Sequence, residues 1–277
     1  MITQTKQFLI SGQERQSMLN ACSSGDTGAL KRFFAKHEVQ RGGNPLPVQT
    51  IDAEGSAEPT NTSLSIDVLL ERAVAARQLA VVELVLQSYP KLSLAQRHGV
   101  VRAVLENPDA EILQVLCSHD CHFASFSVDY GMRTLLADAC ALPPVQAVPM
   151  LHVLLDNDGD VNDGWGPGGG ALYAAIIGGQ PVEIVDKILS KTSAVSNRNV
   201  IAAIRRGDAD VVRALFERKP VSRKFRVDEC VEEAKKTGDE EIVVVVETWA
   251  REKIEEEVRR KDEGSGGKRR HFWNFWR

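Results

Sequence analysis

Aromatic side chains make up only 6% of the 277 residues, which is thin for a β-sandwich and ordinary for a helical stack rich in Ala, Val and Leu. No stretch reaches the roughly 20 apolar residues of a membrane helix. The uncharged run Ala139–Leu155 is interrupted by Pro143, Pro144 and Pro149. The opening residues Met1–Ile10 lack the apolar core of about 7–15 residues that a secretory signal carries. Cysteines number five, an odd and scattered set that points to free thiols in a reducing compartment. The chain is therefore expected to be intracellular, cytoplasmic or nuclear, and Asn61-Thr-Ser matches a glycosylation sequon by pattern alone. There is no basic excess: the net charge is −4 and the pI about 5.9, so no nucleic-acid partner is expected.

What is present is a rhyme. Val200–Phe216 reads as two short helices, with Ile201 and Ile204 as one apolar stripe and Val211, Val212, Leu215 and Phe216 as the next. Gly207 supplies the left-handed conformation that ends the first helix, and Asp208 offers an oxygen to the unpaired amides opening the second. Each helix is expected to run about one and a half turns, too short for the pair to bury its apolar face alone. Arg205, Arg206 and Arg213 are expected to be solvated.

Copies of the same register supply the rest of the core. Counted from Ala203, positions +4, +9, +12 and +13 are Gly207, Val212, Leu215 and Phe216. Ala21, Ala73, Ala103 and Ala234 anchor the same offsets, with Gly25-Asp26 and Gly238-Asp239 at two of the turns and Asn107, another residue tolerant of positive φ, at a third. Ala139 and Ala175 anchor two more units with small insertions. Successive anchors lie 52, 30, 36, 36, 28 and 31 residues apart, a period in the thirties that belongs to stacked helical repeats.

This pattern resembles the ankyrin repeat. In that family Thr-Pro-Leu-His-x-Ala in the first helix is followed by a glycine turn, Val-Val-x-Leu-Leu and a finger ending Asp-Val-Asn. Leu154–Asn162 keeps Asp160-Val161-Asn162 at the finger, and Gly170–Ala175 stands where the first-helix motif would, keeping Leu172 and Ala175. No unit carries the full tetrapeptide. The resemblance implies an all-α, ankyrin-like solenoid of about seven degenerate units, with finger loops and an extended C-terminal helix. It also implies a non-catalytic scaffold that holds a protein partner on its finger and inner-helix surface.

The expected organisation is a lead-in over 1–17, a repeat region over 18–247 and a charged helix over 248–263, then a Gly-Ser-linked tail over 264–277. The segment 37–63, rich in Gly, Pro, Ser, Thr and Asn, reads as a mobile excursion from the first finger. The last unit is polar, as a terminal repeat must be, and Glu255–Arg259, Glu256–Arg260 and Glu257–Lys261 form an i,i+4 ladder beyond it.

Candidate partner-binding residues are Asp158, Asp160, Asn162 and Trp165 of the best-defined finger, and Tyr173 of the helix after it. The tail offers a second surface: Lys268, Arg269, Arg270, Phe272, Trp273, Phe275 and Trp276 combine aromatic and basic chemistry with no acid. That chemistry suits a membrane surface, an acidic groove on a partner, or the chain's own body. The basic groups around Arg259 and Lys268 also hint at nuclear import.

Other clusters have plainer readings. Asp156–Gly164 fails the calcium-loop pattern, because counting from Asp158 puts Asp163 sixth and Gly169 twelfth. Cys117–His122 packs four cysteine and histidine side chains into six residues but has no second pair at ligand spacing. Gly164–Gly170 lacks the Gly-Lys-Ser/Thr ending of a phosphate loop. No catalytic residue, cofactor or metal is expected.

Overall fold

The computed structural model describes residues 8–37, 39, 47–51, 64–128, 132–162, 170–218, 221 and 225–264. Most of these residues are helical. The chain divides into two compact units, Met1–Ile184 and Val185–Arg277, so the expected repeat region is shared between them.

The first unit begins with β1 (Phe8–Ser11), α1 (Gly12–Ser24) and α2 (Thr27–Lys36), followed by β2 (Pro47–Ile51) and β3 (Leu64–Ser65). Next come α3 (Ile66–Ala75), α4 (Leu79–Ser88), α5 (His98–Glu106) and α6 (Ala110–His119). A short hairpin of β4 (Ser127–Val128) and β5 (Arg133–Thr134) leads into α7 (Leu135–Cys140), α8 (Pro144–Asp156) and α9 (Ala171–Gly178). Helix α10 (Val182–Lys191) straddles the division. The second unit continues with α11 (Asn197–Arg206), α12 (Ala209–Arg218), α13 (Val227–Thr237) and α14 (Glu240–Gly264). No helix among the described residues is long and apolar enough to cross a membrane.

All seven anchor alanines are buried, each in the first helix of a pair: α1, α3, α5, α7, α9, α11 and α13. A methyl group there lets neighbouring first helices approach closely. In the first unit α1, α3, α5, α7 and α9 pack one on the next, and α2, α4, α6 and α8 form a second row. In the second unit α11 packs on α13 and α12 on α14.

The turns follow local chemistry. Gly25, Gly179, Gly207 and Gly238 end first helices at φ between 71 and 76°, and Asp26, Asp208 and Asp239 accept amides of the helices that follow. Asn107 departs from expectation with φ −130°. Pro108 follows it, and the proline ring keeps the preceding residue out of the helical region. Asp109 then caps α6 instead.

The helices are longer than expected. Both α11 and α12 have 10 residues, nearly three turns, because the polar run from Asn197 extends the first of them. Within them Val200, Ala203 and Ile204 are buried whereas Ile201 is half-buried, and Val211, Val212, Leu215 and Phe216 are buried. In α6 the stripe is Ile112, Leu113, Leu116 and Cys117, with Val115 half-buried.

Two of the arginines expected to be solvated also bridge successive helix pairs. Arg205 reaches Glu233 at 2.7 Å and Arg213 reaches Glu241 at 2.9 Å, each 28 positions on. Arg102–Glu71 and Arg218–Asp186 do the same in their units, both at 2.9 Å. As exposed pairs they contribute up to about 1 kcal/mol each and act more on register than on stability.

The segment 37–63 is not an unstructured excursion throughout. Its residues Pro47–Ile51 form the central strand of a small sheet, parallel to β1 from Phe8↔Val48 to Ser11↔Ile51 and antiparallel to β3. The β1 and β2 partners are forty positions apart, a pairing without a local signature. Its opening residue, His37, is also fixed: Nε2 lies 3.1 Å from Glu14 Oε1, beside a 2.9 Å Lys36–Glu14 pair, and the imidazole packs on Phe33. Burial would raise the Glu14 carboxyl, but the hydrogen bonds and charges of Lys36 and His37 prevail and hold it below its ordinary value.

Candidate functional site

The finger after α8 is built by alternation. Gly159 and Val161 are buried, while Asp158, Asp160 and Asn162 between and beside them face solvent. The chain leaves α8 through Asn157, whose side-chain amide donates to the Val153 carbonyl at 2.8 Å. Asp158 then takes the left-handed conformation at φ 58°, and the Gly159 amide donates back to the Leu154 carbonyl at 2.8 Å. A Cβ on Gly159 would stand 2.9 Å from that carbonyl oxygen and 3.2 Å from that of Ala124, so the tight base requires glycine.

The base is tied to the preceding finger by one hydroxyl. Ser125, in the 3₁₀ turn Phe123–Ser125, donates to the Asp158 carbonyl at 3.2 Å and accepts the Asp160 amide at 3.1 Å. Asp160 Oδ1 accepts the Asn162 amide at 2.8 Å. The structure thus brings Asp158, Asp160 and Asn162 together on one strap-like segment. Trp165 lies outside the described residues, as do Lys268, Arg269, Arg270, Phe272, Trp273, Phe275 and Trp276.

Tyr173 sits half-buried on α9, a helix with no charged residue. Its neighbours on the outward side are Ala174, half-buried, and Ile177, which is 54% exposed. Ile177 was legible as an apolar residue but not as an exposed one, because the repeat register assigns it no face. Gln180 was also missed. It stands where Asp follows Gly in other units, yet it does not cap. Buried, its Nε2 donates to the carbonyls of Cys140 at 2.8 Å and Leu142 at 2.9 Å, clamping the turn before α10 to the end of α7. Thr134 is a third case: fully buried, its hydroxyl accepts the Ala137 amide at 3.1 Å and opens α7.

The Cys117–His122 segment serves packing. Cys117 points inward while Cys121 is exposed. His119 Nε2 donates to the Leu92 carbonyl at 2.9 Å, and Asp120 accepts the amides of Leu94 at 2.8 Å and His122 at 3.0 Å. His119 and Asp120 thereby pin the loop after α4. Among the described residues no three His, Cys, Asp or Glu side chains are gathered as a metal site would need.

Burial pushes the Cys22, Cys117, Cys140 and Cys230 thiols up to about 12, reinforced by Asp120 at Cys117 and by Glu229 and Asp228 at Cys230, and opposed by Arg72 at Cys22. A thiolate is the reacting form. A chromogenic disulfide reagent at pH 8 should therefore titrate one thiol, Cys121, in the native protein and five after denaturation. Reaction of two or more in the native state would contradict the described packing.

No protein-family model matches this sequence, and a search of curated protein sequences finds no match.

Proposed function

We propose that the chain is a non-catalytic interaction scaffold built on degenerate ankyrin-like repeats, taking a protein partner on its finger and first-helix surface. The observation that carries this reading is the recurrence of one unit seven times: a buried anchor alanine, a turn, and a second helix with an apolar stripe. Repeat folds use the surface of such stacked units for recognition. The finger residues Asp158, Asp160 and Asn162 offer exposed polar groups on a braced backbone. Tyr173 and Ile177 offer the apolar and aromatic contact that anchors interfaces.

The test is capture of partners by the full chain and by a Trp165→Ala/Tyr173→Ala variant, read by quantitative mass spectrometry. The expected result is a partner set depleted roughly tenfold or more, the scale of losing one interface anchor, with an unchanged melting temperature. An undiminished set would remove this surface from the reading. The alternative reading, an adaptor recruited by its tail to a membrane or an acidic partner, is supported by the aromatic and basic composition of Lys268–Arg277.

A further inference from the structure

Helix α14 extends well past the packing of its own unit. Ile242, Val246, Trp249 and Ala250 are buried, and beyond Ala250 every described side chain is exposed or half-exposed. At about 100° per residue, Glu240, Val244, Arg251, Ile254 and Glu255 share one sector opposite the buried stripe. Within it Val244 is 62% and Ile254 49% exposed, large apolar side chains with no cover among the described residues. Glu240 and Glu255, with Glu252 at the edge of the sector, are exposed and make no ion pair among the described residues. Among the described residues of α14, Arg251 is the one base of the sector; Glu247 within it is held by Lys235 of α13 at 3.1 Å, and Lys253 by Glu256 at 2.7 Å. The outer surface of α14 is thus apolar and acidic together.

We infer that the C-terminal segment Lys268–Arg277 docks in cis along this face of α14, its aromatic side chains over Ile254 and Val244 and its basic residues beside Glu255, Glu252 and Glu240. Three observations choose this occupant. The chemistry is complementary: the segment holds Phe272, Trp273, Phe275 and Trp276 with Lys268, Arg269, Arg270 and Arg277, and no acid. The reach fits as well. Ile254 lies ten residues before Gly264, about 15 Å along the helix. Val244 lies twenty residues before it, about 30 Å. An extended chain covers up to ~3.3 Å per residue, so Phe272 reaches back about 26 Å and Trp276 about 40 Å. The turn is supplied by Gly264-Ser-Gly-Gly267, which has the glycine content that a reversal needs.

This docking is independent of the repeat reading and would hold the aromatic residues away from any other partner until they are released.

Hydrogen exchange read by mass spectrometry on the full-length chain tests it. One variant replaces Phe272, Trp273, Phe275 and Trp276 by Ser, leaving α14 untouched; a second carries Ile254→Asp alone. Backbone amides over 247–258 are expected to exchange roughly tenfold faster in both variants than in the parent, as for the loss of a packed cover on an exposed helix. Exchange unchanged in the aromatic variant would overturn the inference. So would protection that grows with protein concentration, which would mean a second copy, or protection found only with phosphatidylserine-containing vesicles, which would mean a membrane.

Discussion

Gly178→Ala is expected to destabilise the first unit by about 3 kcal/mol or more, lowering its melting temperature on the order of 10 °C. Gly178 ends α9 against the end of α7, and a Cβ there would fall on the carbonyl oxygen of Cys140, 3.1 Å from its carbon and 3.4 Å from Cα of Ala141. These are backbone atoms that no rotamer change can move. Separating the two helix ends would also stretch both hydrogen bonds from Gln180, to Cys140 and Leu142, each worth about 1 kcal/mol. Gly207→Ala is the contrasting variant. Gly207 has φ 73° and nothing within 4 Å of a Cβ, so only the left-handed penalty of about 1–2 kcal/mol applies. Thermal and denaturant unfolding of the two variants side by side decides the matter. If Gly178→Ala cost no more than Gly207→Ala, the close approach of α9 to α7 would be wrong.

The second large effect is expected at Trp249. Its ring lies on Phe216 at a centroid distance of 4.0 Å and an interplanar angle of 11°, and Phe225 meets it edge-on at 5.3 Å. Trp249 therefore joins α12, the lead-in to α13, and α14 in a unit whose α13 buries only Cys230 and Ala234. Trp249→Ala should cost about 3–5 kcal/mol through the cavity and the lost ring contacts. Trp249→Phe should keep most of the stacking and cost less than half as much. Near-ultraviolet circular dichroism should lose the contribution of the stacked Trp249 ring in the Ala variant, and chemical denaturation should report the energy. Equal midpoints for parent and Trp249→Ala would show that the aromatic sandwich does not hold the second unit together.

Much of this architecture was legible because its causes are local. A glycine closing one helix and an aspartate opening the next act within three or four residues. Gly25-Asp26, Gly207-Asp208 and Gly238-Asp239 are accordingly found at positive φ and at helix starts, as read. The anchor alanines, too, are buried as expected. Local rules also failed locally: Arg77 takes φ 54° where other units use glycine, and Asn107 keeps a negative φ because a proline follows it. The finger was half legible. Asp158, Asp160 and Asn162 could be placed on it from their pattern, but the hydroxyl that braces them, Ser125, sits more than thirty positions upstream in an unmarked stretch.

The sequence by itself thus determined the recurring helix pairs, most of their turns and caps, and the interior place of the anchors. Periodicity and capping express forces between residues a turn apart. Only the tertiary structure decided the parallel pairing of β1 with a strand inside 37–63, the clamp of Gln180 on α7, the sandwich around Trp249 and the exposure of Ile177, Val244 and Ile254. Each depends on which surfaces meet across thirty or more positions, or on whether any surface meets them. That is a property of the packed chain, and no single stretch of it carries the mark.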